Sequence, residues 1–501
     1  MTLTTLLISI AIAAVILTLL THFVFKSVKS WPVSLLQNFC GALFVFSGYV
    51  KAVDPLGTAY KMEQYFAEFE STFADTTFSF LAPIFPWLGE FVVAFSVFMI
   101  VLEIVLGVML IMGHWRKFTA WLFFIIVAFF TVLTGFTFLT GYVPSGVNFF
   151  DFGGWGPYVE TNMKVTDCGC FGDFLKLEPY TSFLKDVFLM VPAILFLFTT
   201  RKMHQVFNPL VRNLVTAVAT FGLILYCFSN FLWDIPGQDF RPFKVGTDIA
   251  AQKLAEEDAA ANIQVLGYEI ENKETGEVTS LSMNEYLEQY KNFPETEYSI
   301  NQLTTDPVIE PTKISEFELS NASGEDIVPQ LLEVEAPVLF IVAYDLKGEQ
   351  TGTTSKTITE QEMRIDTIGT VDETNLTRNG EIYDTNYVDV EREITVPVFT
   401  FPAGYLAKWT DHVQPVINEA RAAGINVIAA TKYADPDMIA ALKEQVGADY
   451  NFVQGDDIML KTIIRSNPGV LLLKKGVILD KWHYRKLPSF NELKVAYGLG
   501  E

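Results

Sequence analysis

The charges of this chain are sorted to one end, and that sorting limits the fold more than any single motif. Residues 1–233 carry 12 Lys/Arg against 13 Asp/Glu, and the remainder carries 23 against 45, so nearly all of the net charge of −23 lies in the second half. An almost uncharged apolar block joined to an acidic body excludes a simple cytosolic enzyme and a disordered acidic tail. The acidic body has no basic stripe and repels phosphates, which argues against a nucleic-acid partner. A membrane-spanning helix needs about 20 mostly apolar residues. Six windows qualify: Leu3–Phe25, Pro32–Val50, Phe91–Met112, Phe118–Thr140, Phe183–Thr200 and Leu214–Trp233. The fifth is the weakest, because Lys185 and Asp186 shorten its apolar run. The first has no basic residue before its apolar run and no small-residue cleavage site after it, so it reads as a retained helix. The predicted class is an α-helical membrane bundle of about six spans, in contact with membrane lipid, carrying a water-soluble appendage.

Orientation follows from the Lys and Arg of the short loops. Lys26 and Lys29, Arg116 and Lys117, and Arg201, Lys202 and Arg212 occupy alternate loops. The intervening loops are acidic, with Glu63, Glu68, Glu70 and Asp75 in one and Asp151, Glu160, Asp167, Asp173 and Glu178 in the other. The basic loops are therefore expected on the cytoplasmic side and the acidic body outside, in a periplasm-like compartment. Within the fourth span Thr131, Thr134 and Thr137, with Gly135 and Gly141, form a small and polar stripe. Its expected role is helix packing, where small residues let backbones approach and hydroxyls bond across.

The four cysteines are Cys40, Cys168, Cys170 and Cys227, none of them in the soluble half. Cys168 and Cys170 share the second acidic loop, in the string DCGCFGDF, and so face a compartment where disulfides persist. A bridge between residues two apart closes a very small ring, and strained disulfides are labile, which suits exchange. A plain structural bridge and a C-x-C metal pair are the alternatives. Zinc needs about four ligands, and no nearby His or third Cys completes a set, so no metal is expected. Cys227 lies roughly 9 Å inside its span by helix rise, a depth from which it could resolve a disulfide of the loop. Cys40, mid-span, reads as an inert buried thiol. Glu103 is the one acid deep in a span, and intramembrane carboxylates are functional candidates by default. Lys51 is expected at the outer end of its own helix, leaving Glu103 without a cation at matching depth and therefore neutral.

Three strings carry a resemblance: FSGYVKAVDPLG (Phe46–Gly57), LEIVLGVMLIMGHWRK (Leu102–Lys117) and DCGCFGD (Asp167–Asp173). Together they resemble the DoxX/MauE family of redox-associated membrane proteins, and more narrowly a longer branch with a C-terminal periplasmic thioredoxin-like domain. The resemblance runs over helices two to six, the exit linker Asp239–Ile249 and much of the soluble half. It implies a DoxX-type four-helix core in the bacterial inner membrane, thiol or quinone chemistry, Cys168 and Cys170 as the redox pair, and Glu103 as the membrane acid. The insertion Tyr142–Met163 departs from the pattern.

In the soluble half, Val338–Tyr344, Ile425–Tyr433, Val470–Leu473 and Val477–Lys481 read as strands, the last two joined by a hairpin turn at Lys474–Gly476. Helical periodicity covers Trp409–Ala423 and Asp435–Val446. Asn467–Pro468 before a buried strand resembles the cis-proline corner of thioredoxin folds, making Pro468 a structural candidate. A thioredoxin needs C-x-x-C after its central strand; here the chain reads Asp345-Leu346-Lys347-Gly348, so an α/β thioredoxin-like scaffold without dithiol chemistry is expected. The expected domains are an N-terminal helix (1–30), the bundle (31–235), a linker with a small α+β subdomain (236–310) and the thioredoxin-like domain (311–501), with an insertion near 350–395. Two functions remain open. One is an electron relay from an envelope protein through the outer-loop cysteines towards a quinone. The other is a non-enzymatic scaffold or accessory subunit that binds a periplasmic or membrane protein partner.

Overall fold

The computed structural model describes residues 2–499 apart from 75, 166–168, 274, 295 and 371–380, with the backbone alone for 364–370 and 381–386. The chain forms two compact units: Met1–Glu316 with Thr462–Ser466, and Phe317–Lys461 with Asn467–Glu501.

The first unit opens with helices α1 (Leu3–Phe23), α2 (Trp31–Val53), α3 (Pro55–Ala74) and α4 (Ile84–Glu90). It continues through α5 (Val92–Met112), α6 (Arg116–Thr140), α7 (Pro179–Thr199) and α8 (Pro209–Phe228). Among the described residues six helices are long and apolar enough to cross a membrane, with α8 extended to Trp233 by one wider turn. The protein is a multi-pass membrane protein. Polar caps and prolines set the ends: Thr2 and Asn208 accept from the backbone of Thr5 and Val211, and prolines occupy the first turns of α2, α7 and α8. These devices satisfy or remove amides that have no partner inside the helix.

α2 and α5 form the buried centre of the bundle, 61 and 56% enclosed in their apolar windows against 22% for α1 and 11% for α8. Glycines allow the two backbones to meet. A Cβ on Gly107 would lie 2.7 Å from the carbonyl oxygen of Gly41 and 2.8 Å from the amide of Val45, and one on Gly48 would strike Ile104. No side chain can yield there, because the first two obstacles are backbone. α6 and α7 pack through the threonine stripe, where the Phe183 ring lies over Gly135. At the opposite end from the cysteine loop, Gln37 donates to the carbonyl of Leu110 at 2.6 Å and accepts from the amide of His204 at 3.2 Å. Gly113 sits there at φ +66°, and a Cβ on it would collide with the His204 carbonyl.

The first unit ends in α9 (Ile249–Ala261) and a three-stranded antiparallel sheet of order β2-β1-β3, formed by β1 (Val265–Asn272), β2 (Val278–Ser282) and β3 (Tyr298–Thr304). Helix α10 (Met283–Gln289) follows β2 through a capping box between Ser282 and Glu285. Buried Glu256 of α9 accepts from Gln252 Nε2 at 2.8 Å, Thr312 N at 2.9 Å, Thr312 Oγ1 at 2.7 Å and Ser315 N at 3.2 Å.

The second unit holds β4 (Leu319–Ser320), α11 (Val328–Glu333), β5 (Val338–Val342), β6 (Glu349–Thr370) and β7 (Glu381–Thr400). It continues with α12 (Ala403–Ala407), α13 (Gln414–Ala422), β8 (Asn426–Lys432), α14 (Pro436–Val446), β9 (Asn451–Gly455) and all but the last two residues of α15 (Asp457–Ile463). The last elements are β10 (Gly469–Lys474), β11 (Val477–His483) and α16 (Phe490–Tyr497). Six strands make one mixed sheet of order β11-β10-β5-β8-β9-β4, parallel at β5/β8 and β8/β9 and antiparallel elsewhere. Every residue of β5 is buried, as an unbroken apolar run requires of a strand covered on both faces. Trp409, Val413, Ile417 and Leu442 pack the helices onto Leu339, Ile341 and Leu472. Lys475 and Gly476 take φ +49° and +73°, the left-handed pair a tight hairpin needs. In the region expected as an insertion near 350–395, the described residues form a long antiparallel ribbon, β6 against β7.

Candidate functional site

Lys51, Glu103, Lys185 and Asp186 lie within the spanning helices of the first unit. Lys51 Nζ of α2 sits 2.7 Å from Glu103 Oε2 of α5, both side chains less than a tenth exposed. Lys185 and Asp186 of α7 also form an ion pair, and Thr134 Oγ1 of α6 donates to Asp186 Oδ2 at 3.1 Å. The Lys51 ammonium stands 5.3 Å from the ring centre of Phe130, and that of Lys185 stands 6.0 Å from that of Phe171, so aromatic faces receive part of each cation. Two cations balance two anions, the condition under which ionised groups can be held away from water.

The expectation that Glu103 lacks a cationic partner is therefore corrected. It assumed that the outer ends of the second and third spans stand level. The glycine contacts instead set α2 so that Gly48 meets Ile104 and Gly41 meets Ile111. Lys51, one turn beyond Gly48, thus reaches Glu103, one residue before Ile104. The space above α2 belongs to α3, whose first carbonyl, on Pro55, accepts from Ser96 Oγ of α5 at 2.7 Å. The weak fifth window is explained by the same cluster, since Lys185 and Asp186 neutralise each other. The threonine stripe packs as expected and adds two bonds across helices, Thr134 to Asp186 and Thr137 with the Tyr65 hydroxyl at 2.9 Å.

Cys170 joins this cluster from the loop between α6 and α7. Its carbonyl accepts from Ser47 Oγ of α2 at 2.8 Å, and its side chain packs against the apolar core that includes Phe171, Leu189 and Phe196. Burial pushes the Cys170 thiol up; Lys185, the strongest of the nearby charges, pulls it down, Asp186 pushes it up, and Lys51 and Glu103 act more weakly with opposite signs. Gly169 takes φ +60°, a conformation in which glycine carries no Cβ strain. Cys168, the other half of the expected redox pair, lies outside the described residues. Cys227 is fully buried with Ala52, Ile100 and Ile104 on the α5–α8 side, in an apolar cluster separate from that of Cys170, so the structure does not bring the two thiols together. Cys40 is fully buried beside Leu43 and Phe123. Among the described residues no group of His, Cys, Asp and Glu is arranged to hold a metal ion.

Two further acids frame the cysteine loop. Asp54, just after α2, is bonded by Arg465 through Nε at 2.9 and 2.8 Å, and Asp173 lies 3.7 Å from the same guanidinium. Burial alone would raise Asp54; Arg465 and then Arg241 outweigh it and hold the carboxyl below its ordinary range. Burial dominates at Asp173 and raises it.

In the second unit the Asn467–Pro468 bond is cis, and the segment it faces carries no thiol. Asn467 Nδ2 donates to the Asp345 carbonyl at 2.6 Å, and Asp345 is paired with Lys347 at 2.5 Å and Lys432 at 3.2 Å. A cleft of about 430 Å³ elsewhere in this unit, between the Asn321–Ser323 turn, α11 and β8–β9, has no titratable side chain in its lining.

Residues 29–145 match the family model described as methylamine utilisation protein MauE. The match covers less than a quarter of the chain, including α2 to α6 with Lys51 and Glu103, and it ends before Cys168 and Cys170. No curated protein matches the chain, and no solved structure does.

Proposed function

We propose that the protein is a redox-associated component of a bacterial inner membrane, exchanging thiols at its outer loop and presenting an inert thioredoxin-like domain in the periplasm to a protein partner. The observation that carries this reading is the docking of Cys170 onto a bundle that holds the Lys51–Glu103 and Lys185–Asp186 ion pairs. A thiol in a solvated structural loop has no need of a carbonyl anchor to a helix or of four charges beneath it. The likeness to MauE, whose description names methylamine utilisation, points to the same redox-linked setting.

In this reading a thiolate of a reduced envelope protein attacks the Cys168–Cys170 disulfide. A sulfur–sulfur bond forms to one loop cysteine, the loop disulfide breaks, and the other cysteine leaves as a thiolate. The partner's second thiolate then closes the partner's own disulfide, leaving both loop cysteines reduced, with two electrons transferred. A quinone, which the family resemblance implies, would supply a two-electron acceptor. Donors that suit its carbonyl oxygens are present on α7 in Lys185 and in the Ser182 hydroxyl, which is buried without a hydrogen-bond partner among the described residues.

The thioredoxin-like reading of the second unit is supported by the mixed sheet centred on β5 and by the cis corner at Pro468 opposite Asp345. Its lack of thiols favours partner binding over catalysis there, and the same feature sustains the scaffold reading for the whole chain. The test is a Cys168→Ser chain expressed in its native membrane, quenched with acid and run without reductant. A mixed disulfide through Cys170 supports exchange. A chain that stays monomeric, with Cys168→Ser/Cys170→Ser cells indistinguishable from the parent, leaves the scaffold reading.

A further inference from the structure

Lys185 and Asp186 are adjacent in sequence, opposite in charge, and tied to different neighbours. Asp186 is bonded across to Thr134 of α6, while the Lys185 ammonium stands over the ring of Phe171, the residue next to Cys170. Phe171 is only 1% exposed, so the ring that receives the Lys185 ammonium is held in the core. The charges around Cys170 come from every side: Lys185 and Asp186 on α7, Lys51 on α2, Glu103 on α5, and Lys61 on α3, whose Cγ would lie 3.2 Å from a Cβ on Gly169. If the ion pair served only to neutralise Asp186 inside the span, it could sit anywhere along α7. It sits instead at the end that faces the cysteine loop.

We propose that Lys185 is a positioning residue for Cys170: its ammonium, held by Asp186, favours the thiolate of Cys170, and Asp186 opposes it. This rests on the reading of Cys170 as an exchanging thiol. The step concerned is an ionisation, in which the thiol gives its proton to bulk solvent and no electron moves. An opposite charge close by favours the charged form of a group and a like charge disfavours it. Removing Lys185 and removing Asp186 must therefore act in opposite directions, which mere loosening of the loop cannot do.

The experiment uses the full-length chain, reduced, in lipid nanodiscs and with Cys168→Ser, so that loop labelling reports Cys170 alone. The rate of iodoacetamide alkylation of Cys170 is followed by mass spectrometry from pH 6 to 10. Lys185→Met is expected to move the midpoint of the rate profile upward and to slow alkylation at pH 7.5 on the order of tenfold. Asp186→Asn moves the midpoint downward and speeds the reaction, and Lys185→Arg keeps the parent profile. Unchanged midpoints, or midpoints that move the same way in both variants, overturn the assignment. Should Lys185→Met fail to fold, Asp186→Asn decides alone: a midpoint that stays or rises overturns it. The small reagent stands in for the partner, so the profile is read whether or not exchange occurs. A shifted profile with no trapped partner sinks the redox reading and leaves the Lys185 assignment standing.

Discussion

Replacing Lys51 by Met would strand the Glu103 carboxylate inside the bundle, and the size of the effect can be worked from the pair itself. At the observed 2.7 Å, and with an effective dielectric constant of about 20, the attraction is about 6 kcal/mol. Against it stands the hydration lost by both ions, several kcal/mol each, so the intact pair contributes little net stability. Either half alone is different, because an uncompensated charge remains buried. Lys51→Met and Glu103→Gln should each destabilise the protein by about 3–5 kcal/mol, whereas the double variant should lose far less than their sum. The coupling should be at least about 2 kcal/mol; Lys185 nearby can partly take over an orphaned Glu103, which makes this a lower bound. The assay is reversible unfolding of the full-length chain in mixed micelles, titrated with sodium dodecyl sulfate and followed by helicity. Additive single effects, or single variants within about 1 kcal/mol of the parent, would refute the pairing.

The helix register makes its own demand: Gly107→Leu should separate α2 from α5 and abolish cooperative unfolding, while Gly89→Ala, with open space around its Cβ, should unfold like the parent in the same titration. Glu256 gives a pH dependence. Burial on its own would raise its pKa, but the bonds from Gln252, Thr312 and Ser315 outweigh burial and hold it below the ordinary glutamate value. A carboxyl depressed in the folded state contributes stability above its unfolded pKa of about 4.3, lost as pH falls through the folded value. Glu256→Gln should flatten that acid limb and cost about 1–3 kcal/mol at pH 7, read by hydrogen exchange in α9. The Lys/Arg asymmetry calls for protease added to intact spheroplasts to digest the chain beyond Phe240 and spare the bundle; protection of that segment until the membrane is broken reverses the orientation.

The spans were legible because hydropathy sums over about 20 residues, so single charges such as Lys185 do not hide a helix. Strands β5, β8 and β10 were legible for a related reason, since a mostly apolar run between turn signals has few other solutions, and β11 followed from the hairpin turn that precedes it. Which charges meet was not legible. Lys51 and Glu103 are 52 positions apart, and their contact depends on how far one helix slides along another. A signal existed in Gly41 and Gly48, spaced by seven on one face of α2, opposite Gly107. Lys185 and Asp186 counted only against their window, although charges inside a span also mark a site. Cys170 was readable as a candidate from its loop alone; its anchoring by Ser47, 123 residues away, was not.

The most direct measurement is the state of the loop cysteines in native membranes. Cells producing the Cys40→Ala/Cys227→Ala chain are quenched with acid, and the protein is tagged with a mass-shifting maleimide before and after reduction. Exchange at Cys168 and Cys170 requires a population that takes no tag until reductant is added and two tags afterwards, and that population should shrink when a membrane-impermeant dithiol is supplied to the living cells. Two tags on every molecule without reductant, unchanged by the dithiol, would contradict a redox role for the loop.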